Sequence, residues 1–321
     1  MAQHFLLSAD SRTLSLKAIY KAGEDKAYET FRRIRWPETD GEPVCPRCGG
    51  LDAYTITTRR KFKCRNAGCH HQFSVTSGTI FHSRKMDFAD LLAGIAIIVN
   101  AAKGVSAIQL SRDLDCQHKT AFVLAHKVRE ALSGETRDIV LRGEVEIDGA
   151  YFGGKLRQAN RKADRKDRRL ARHQNGKRRV VVAARQRGGR TLTTVATGEA
   201  HGVRFAADRV EAGSIMHADE ASHWDALHGF YDARRINHAE AFSIPGACTN
   251  QAESFFSRLR RMVRGQHHHV SAQHLHAYAS HAAWLEDHRR EDNGQLAGRA
   301  LGLAMAAPVS RTWCGYWQRG V

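Results

Sequence analysis

The period of the hydrophobic positions changes several times along this chain, and each change marks an element boundary. In "EDKAYETFRRIR" (24–35), Tyr28, Phe31 and Ile34 recur at helical spacing. The stretch "WPETDGEPVCPRCGG", rich in Pro and Gly, interrupts that pattern and opens a small module. From Met86 to Ser133 the spacing is helical and strongly apolar. Between Arg142 and about Phe242 it shortens to strand-like runs: "EVEI", "RRVVVAA", "TLTTVAT", "SIMHA" and "RRINHA". Residues 249–290 are helical again, and no segment repeats at a fixed period. This order predicts a mixed α/β domain over 141–295. A helical segment (1–40), the small module (41–83) and a second helical segment (84–140) precede it, and a tail (296–321) follows.

Charge changes the picture. Fifty Lys and Arg oppose 33 Asp and Glu, a formal net charge of +17. Such a surplus favours a polyanionic partner, because basic side chains near phosphates release condensed counterions. A membrane surface is the competing polyanion, but the longest apolar run, "LLAGIAIIV" (91–99), is too short to span a bilayer. The N-terminus "MAQHFLLSAD" has no basic flank ahead of a long apolar core. The expected location is the cytoplasm, on the nucleoid, where clustered cysteines more often bind metal than form disulfides.

Four of the seven cysteines fall within 25 residues, in "CPRC" (Cys45, Cys48) and "CRNAGC" (Cys64, Cys69). Two pairs on tight turns, 15 residues apart, can converge on one tetrahedral Zn²⁺. The intervening hairpin-like "DAYTITTRRKFK" completes the layout of a zinc ribbon. The second pair is spaced by four residues, so His70 or His71 is an alternative fourth ligand.

Downstream, Ser106 and Gln109 have capping-box spacing for a short helix over 107–113. A turn at 114–117 leads to a second helix with Phe122, Ala125, Val128 and Leu132 on one face. His118, Lys119 and Lys127 lie elsewhere on that helix, the pattern of a DNA-reading helix-turn-helix.

In "EVEIDGAYFGGK" (144–155), strand alternation sends Val145 and Ile147 to one side and Glu144, Glu146 and Asp148 to the other. With the apolar face buried, those carboxylates are expected at the sheet's surface or edge. Asp219 ends a second strand, and Glu253 lies on a helix opposite its apolar face of Phe255, Phe256, Leu259, Met262 and Val263. Three carboxylates from two strand ends and a helix suit two hard divalent cations, Mg²⁺ or Mn²⁺, in phosphoryl transfer. Asn250, one turn before Glu253, either orients water or metal there or caps its own helix. His217 reads as a buried structural histidine and Glu286 as a solvated helical acid. Residues 155–179 carry twelve Lys or Arg against two Asp. There Arg165, Lys166, Arg168, Arg169, Lys177 and Arg178 are candidates to grip DNA backbone, as is Arg260 on the later helix. The histidine-rich "QHHHV" (266–270) is assigned no role.

Taken together, "EVEIDGAYFGGK", "QNGKRRVVVAARQRGGRTL", "HADEASHW" and "TNQAESFFSRLRR" resemble the ISXO-type DDE transposases of bacterial insertion sequences. "RWPETDGEPVCPRCGG" and "CHHQFSVTSGTIFHSRK" are similar to the zinc ribbon of that family, so the likeness runs over roughly 25–290. It implies a ribonuclease H-like core with Asp148, Asp219 and Glu253 as ligands of two Mg²⁺ (or Mn²⁺). It also implies one Zn²⁺ in the ribbon, double-stranded DNA as partner, recognition of terminal inverted repeats, and strand cleavage and transfer by a homodimer or higher oligomer. Two positions depart from the pattern. Gly149 stands where many relatives carry a second acid, and the "CRNAGC" knuckle is longer than usual. The competing readings are a zinc-dependent transcriptional regulator without catalysis and a ribonuclease H-like nuclease that cuts without joining.

Overall fold

The computed structural model describes residues 5–154, 158–167, 173, 176–236, 243–244 and 247–319. Two of the DNA-contact candidates, Arg168 and Arg169, lie outside the described residues. The chain forms two compact units, residues 1–135 with 288–321, and residues 136–287.

The first unit combines the cysteine module with helices. Strands β1 (Ala53–Ile56), β2 (Lys61–Cys64) and β3 (Gln72–Phe73) form an antiparallel sheet in that order. Its small core is Phe62 and Phe73 against Trp36, rings 5.6–6.3 Å apart. Helix α1 (Leu16–Arg35) starts on a Ser15 cap and breaks at Gly23, whose φ of 81° suits glycine. Helix α2 (Phe88–Asn100) is apolar all round because α1 and α8 (Asn293–Ala306) both pack against it. Helix α3 (Ala107–Asp113) begins as the spacing predicts, with the Ser106 hydroxyl accepting from the Gln109 amide at 3.1 Å. Helix α4 (His118–Gly134) buries Ala125, Val128 and Leu132. Phe122 instead meets Trp313, Tyr316 and Trp317 from the C-terminal segment, at 5.8–6.0 Å between rings.

The second unit is built on a five-stranded mixed sheet. Its strands are β4 (Glu144–Gly153), β5 (Arg178–Gln186), β6 (Thr191–Ala196), β7 (Ile215–Asp219) and β8 (Asp232–Ile236), in the order β6-β5-β4-β7-β8. The first three pair antiparallel; β7 and β8 run parallel to β4. Helix α5 (His201–Arg209) and the 222–229 turn helix cover one face around Val145, Ile147, Val182 and Trp224. Helices α6 (Asn250–Arg261) and α7 (Ala272–Asp287) cover the other, around Phe152, Val181, Phe255 and Phe256. Two-residue strands β9 (Ser243–Ile244) and β10 (Ala247–Cys248) form a hairpin just before α6. This is the ribonuclease H-like mixed α/β arrangement. Its central strand is β4, and α6 and α7 cover the face that carries Glu146, so Glu146 is buried rather than at the surface or edge, while Glu144 stays partly exposed. No helix among the described residues is long and apolar enough to cross a membrane.

Candidate active site

Glu146 explains why three carboxylates share one side of β4. Its side chain is 1% exposed and lies beneath the N-terminus of α6. One oxygen accepts from the backbone amides of Gln251 (2.8 Å) and Ala252 (3.1 Å). The other accepts from Arg187 Nε at 3.0 Å. A carboxylate at this end satisfies orphan amides and complements the positive end of the helix dipole. Arg187 also pairs with Glu144 and donates to the Cys248 carbonyl at 3.2 Å. His217, on β7, is buried between Glu144 (3.3 Å) and the Cys248 amide (3.4 Å). Burial and the neighbouring Arg187 hold its imidazole below the usual histidine range, Glu144 opposing them.

This network fixes where α6 starts, and so where Glu253 points. Asp148 follows Glu146 by two residues and shares its face. The β4–β7 register pairs Glu146 with His217, and two residues further along these parallel strands stand Asp148 and Asp219. Glu253 sits in the first turn of α6, accepting from the Thr249 hydroxyl at 3.3 Å. The convergence registers on Asp148, whose carboxyl is pushed up to about 7. Burial is the main cause, with Asp219, Glu253 and Glu199 adding repulsion against the stabilising Gly149 amide (2.7 Å). The acids do not crowd one point, however. Among the described residues only the cysteine quartet has all its ligand atoms within 4.8 Å. Asp148 is instead the carboxyl on which Asp219, Glu253 and Glu199 all act. The donors are hard oxygens, which fits Mg²⁺ or Mn²⁺.

Glu199, in the turn before α5, escaped the sequence reading. Its Cγ would lie 2.7 Å from a Cβ at position 149, so Gly149 makes room for it. His223 holds its carboxylate at 3.4 Å, while burial and Asp219 push its titration upward. An acid from the turn before α5 thus stands beside β4 at the place where glycine leaves room for it. Nothing in "ATGEAHG" signals it.

Other candidates fall variously. Asn250 is exposed at the first position of α6; its backbone amide donates to Cys248 Sγ at 3.4 Å, while Glu146 accepts from the next two amides. Glu286 is not solvated. It is buried in α7, with Arg185 at 3.1 Å and Arg258 beside it, because a strand and a helix distant in sequence close over it. Arg165 and Lys166 are exposed in a segment folded on itself through Gln158. Lys177 is exposed; Arg178 stacks over Tyr151 at 4.1 Å. Arg260 is exposed on α6 beside Phe256. In the first unit His118 and Lys119 are exposed at the start of α4, whereas Lys127 is half-buried.

The zinc candidates converge. The Cys45–Cys69 and Cys48–Cys64 sulfurs lie 3.7 and 3.6 Å apart. A tetrahedron with Zn–S bonds of about 2.3 Å requires about 3.8 Å between sulfurs. Cys69 completes the quartet despite its longer knuckle, while the His71 ring stacks on Phe73.

Removing the Glu146 anchor has a direct readout. With Glu146→Ala, hydrogen-exchange protection of the Gln251 and Ala252 amides is expected to fall on the order of 100-fold, equivalent to about 3 kcal/mol. Glu146→Gln keeps an acceptor oxygen and loses less. Unchanged protection in the alanine variant would show that α6 is held by its apolar face alone.

Residues 140–287 match the family model of the ISXO2-like transposase domain, and residues 22–72 match that of the transposase zinc-ribbon domain. No curated protein and no solved structure gives a significant match.

Proposed function

Since the chain belongs to the ISXO2-like transposases, with a transposase zinc ribbon ahead of the catalytic domain, we propose that it cleaves and joins DNA strands at the ends of an insertion sequence. Asp148, Asp219 and Glu253 hold two Mg²⁺ or Mn²⁺ ions in this reading. When bound, such ions stabilise the attacking and leaving oxygens of an in-line displacement at phosphorus. The protein's own part is placement. Asp148 and Asp219 belong to adjacent parallel strands, and Glu146 anchors the first turn of α6, which carries Glu253. Water is the first nucleophile and the freed 3′-hydroxyl the second, so no covalent enzyme intermediate forms. Zinc ribbon and helix-turn-helix bind the terminal inverted repeats, His118, Lys119 and Lys127 lying on the second helix of that motif. Arg165, Lys166, Lys177, Arg178 and Arg260 contact the DNA backbone without reading bases, and pairing of two ends requires at least a dimer. The observation carrying the reading is that Asp148 and Asp219 stand on adjacent parallel strands, with Glu253 in the first turn of the helix that Glu146 anchors.

A strand-transfer assay tests it. End-containing duplex DNA, protein and Mg²⁺ are expected to yield nicked ends and products joined to a target duplex. Nicking without joining would reassign the domain as a nuclease, and binding without nicking as a regulator.

A further inference from the structure

A cleft of about 490 Å³ opens within the unit made of residues 1–135 and 288–321. Helix α4 forms one wall, residues 81–86 another, and the C-terminal segment 313–318 the third. Sequence reading gave this last segment, "WCGYWQ", no role. It supplies the aromatic surface. Trp313 is buried against His126, ring centroids 4.1 Å apart. Tyr316 stands 4.8 Å from Trp313, and Trp317 stands 5.0 Å from Tyr316. Trp317 remains 49% exposed.

The rim has one sign of charge. Arg84, Lys85, Lys119 and Lys127 line the cleft, and no Asp or Glu does. Arg84 is committed, lying 3.4 Å over Phe88 and donating to the Met86 carbonyl. Lys119 projects over the Trp317 ring at 5.4 Å. Lys127 is the unspent cation. It is half-buried and makes no hydrogen bond or ion pair among the described residues, while its neighbour Glu130 accepts from the Ser310 hydroxyl at 2.6 Å. Burial holds the Lys127 ammonium below the usual lysine range. A half-desolvated charge that Glu130 and Cys314 offset only without direct contact is relieved further by an anion entering beside it.

Flat aromatic faces next to cations with no carboxylate in the lining suit a base carrying its phosphate. A cleft of this volume takes a single nucleotide, and a base can enter only when it is not stacked and paired in a duplex. We infer that the cleft takes one unpaired nucleotide of a DNA strand, its base against Trp317 and Tyr316 and its phosphate at Lys119 and Lys127. The choice of DNA as the strand rests on the transposase reading. The cleft's chemistry does not.

The test compares binding of a short single-stranded oligothymidylate with binding of a duplex of equal length, using the full zinc-loaded chain without Mg²⁺. Trp317→Ala is expected to weaken single-strand binding on the order of tenfold and duplex binding by less than about twofold, the difference that stacking on one ring supplies. Trp317→Phe keeps most of the single-strand affinity. Lys127→Met weakens it several-fold and lowers the salt slope by about one unit. Should the alanine variant fail to keep its zinc, the phenylalanine and methionine variants decide. Equal losses on both probes in Trp317→Ala, or no loss on the single strand in either Trp317→Ala or Lys127→Met, would overturn the inference and leave the transposase reading standing. So would thymidine monophosphate filling the cleft as tightly as the strand does. Failure to bind either DNA would overturn the DNA reading of the chain itself.

Discussion

Asp148→Asn is expected to lower strand cleavage by on the order of 10³-fold or more, while affinity for end DNA changes by less than about twofold. Asparagine has the same shape, and its carbonyl can still accept from the Gly149 amide that holds the aspartate (2.7 Å). What it loses is the charge that interacts with Asp219 and Glu253. The same substitution carries a second, opposite signature. In the magnesium-free protein Asp148 is pushed up to about 7, chiefly by burial and then by Asp219, Glu253 and Glu199. A folded-state pKa raised above the unfolded value, about 3.9, makes the folded domain the stronger proton binder. The stability contributed by that proton is complete below about pH 4 and is lost as pH rises through about 7. Asp148→Asn removes the penalty. With zinc retained and magnesium absent, its melting temperature should therefore match wild type near pH 4 and exceed it increasingly towards pH 8. Added Mg²⁺ at pH 8 should raise the wild-type melting temperature and leave the variant nearly unmoved. Parallel melting curves for the two proteins across this range would show that Asp148 is not held in a crowded acidic site.

The elements of the catalytic unit were legible because their burial is simple. The "RRVVVAA" run is solidly apolar since β5 is covered on both faces, Val180 to Ala184 all being buried. Asp219 does end β7, but Asp148 lies in the middle of β4 (Glu144–Gly153) and not at a strand end, because the strand runs on through Ala150 and Phe152 under α6 and α7. Parity placed Glu146 and Asp148 together, but parity cannot say what lies over a face. That α6 would land there, and convert Glu146 from a surface acid into a helix anchor, depends on residues a hundred positions later. Glu286 was misread for the same reason, because Arg185 and Arg258 reach it from β5 and α6. Glu199 was invisible. Its place beside Asp148 depends on a missing Cβ at Gly149 and on the path of the turn after β6. On α4 the helical wheel assigned Phe122 to the apolar face correctly as chemistry. Its cover comes not from the neighbouring helices but from a segment nearly two hundred residues away. Local pattern thus yields elements and acids, and long-range closure decides what each acid does.

Loss of zinc should produce the largest structural effect in the chain. The ribbon sheet is only four, four and two residues long on its three strands, and three aromatic rings make up most of its core. A sheet of that size cannot offset the conformational entropy of ordering its loops. Four thiolates on one Zn²⁺ contribute on the order of 10–16 kcal/mol, which is folding free energy for such a module. Cys64→Ser is therefore expected to abolish the single bound zinc and to remove hydrogen-exchange protection from about residue 45 to 73. Protection of β4, β5 and β7 should persist, since those strands close a core of their own around Val145, Ile147 and Val182. Cys116→Ser is the control: its thiol stands apart from the quartet and should change neither metal content nor protection. If the Cys64 variant kept one equivalent of zinc, His70 or His71 would have to replace the thiolate. That would require His71 to leave its stacked position on Phe73, where the rings lie 8° from parallel, and protection at Phe73 would fall even though zinc remained.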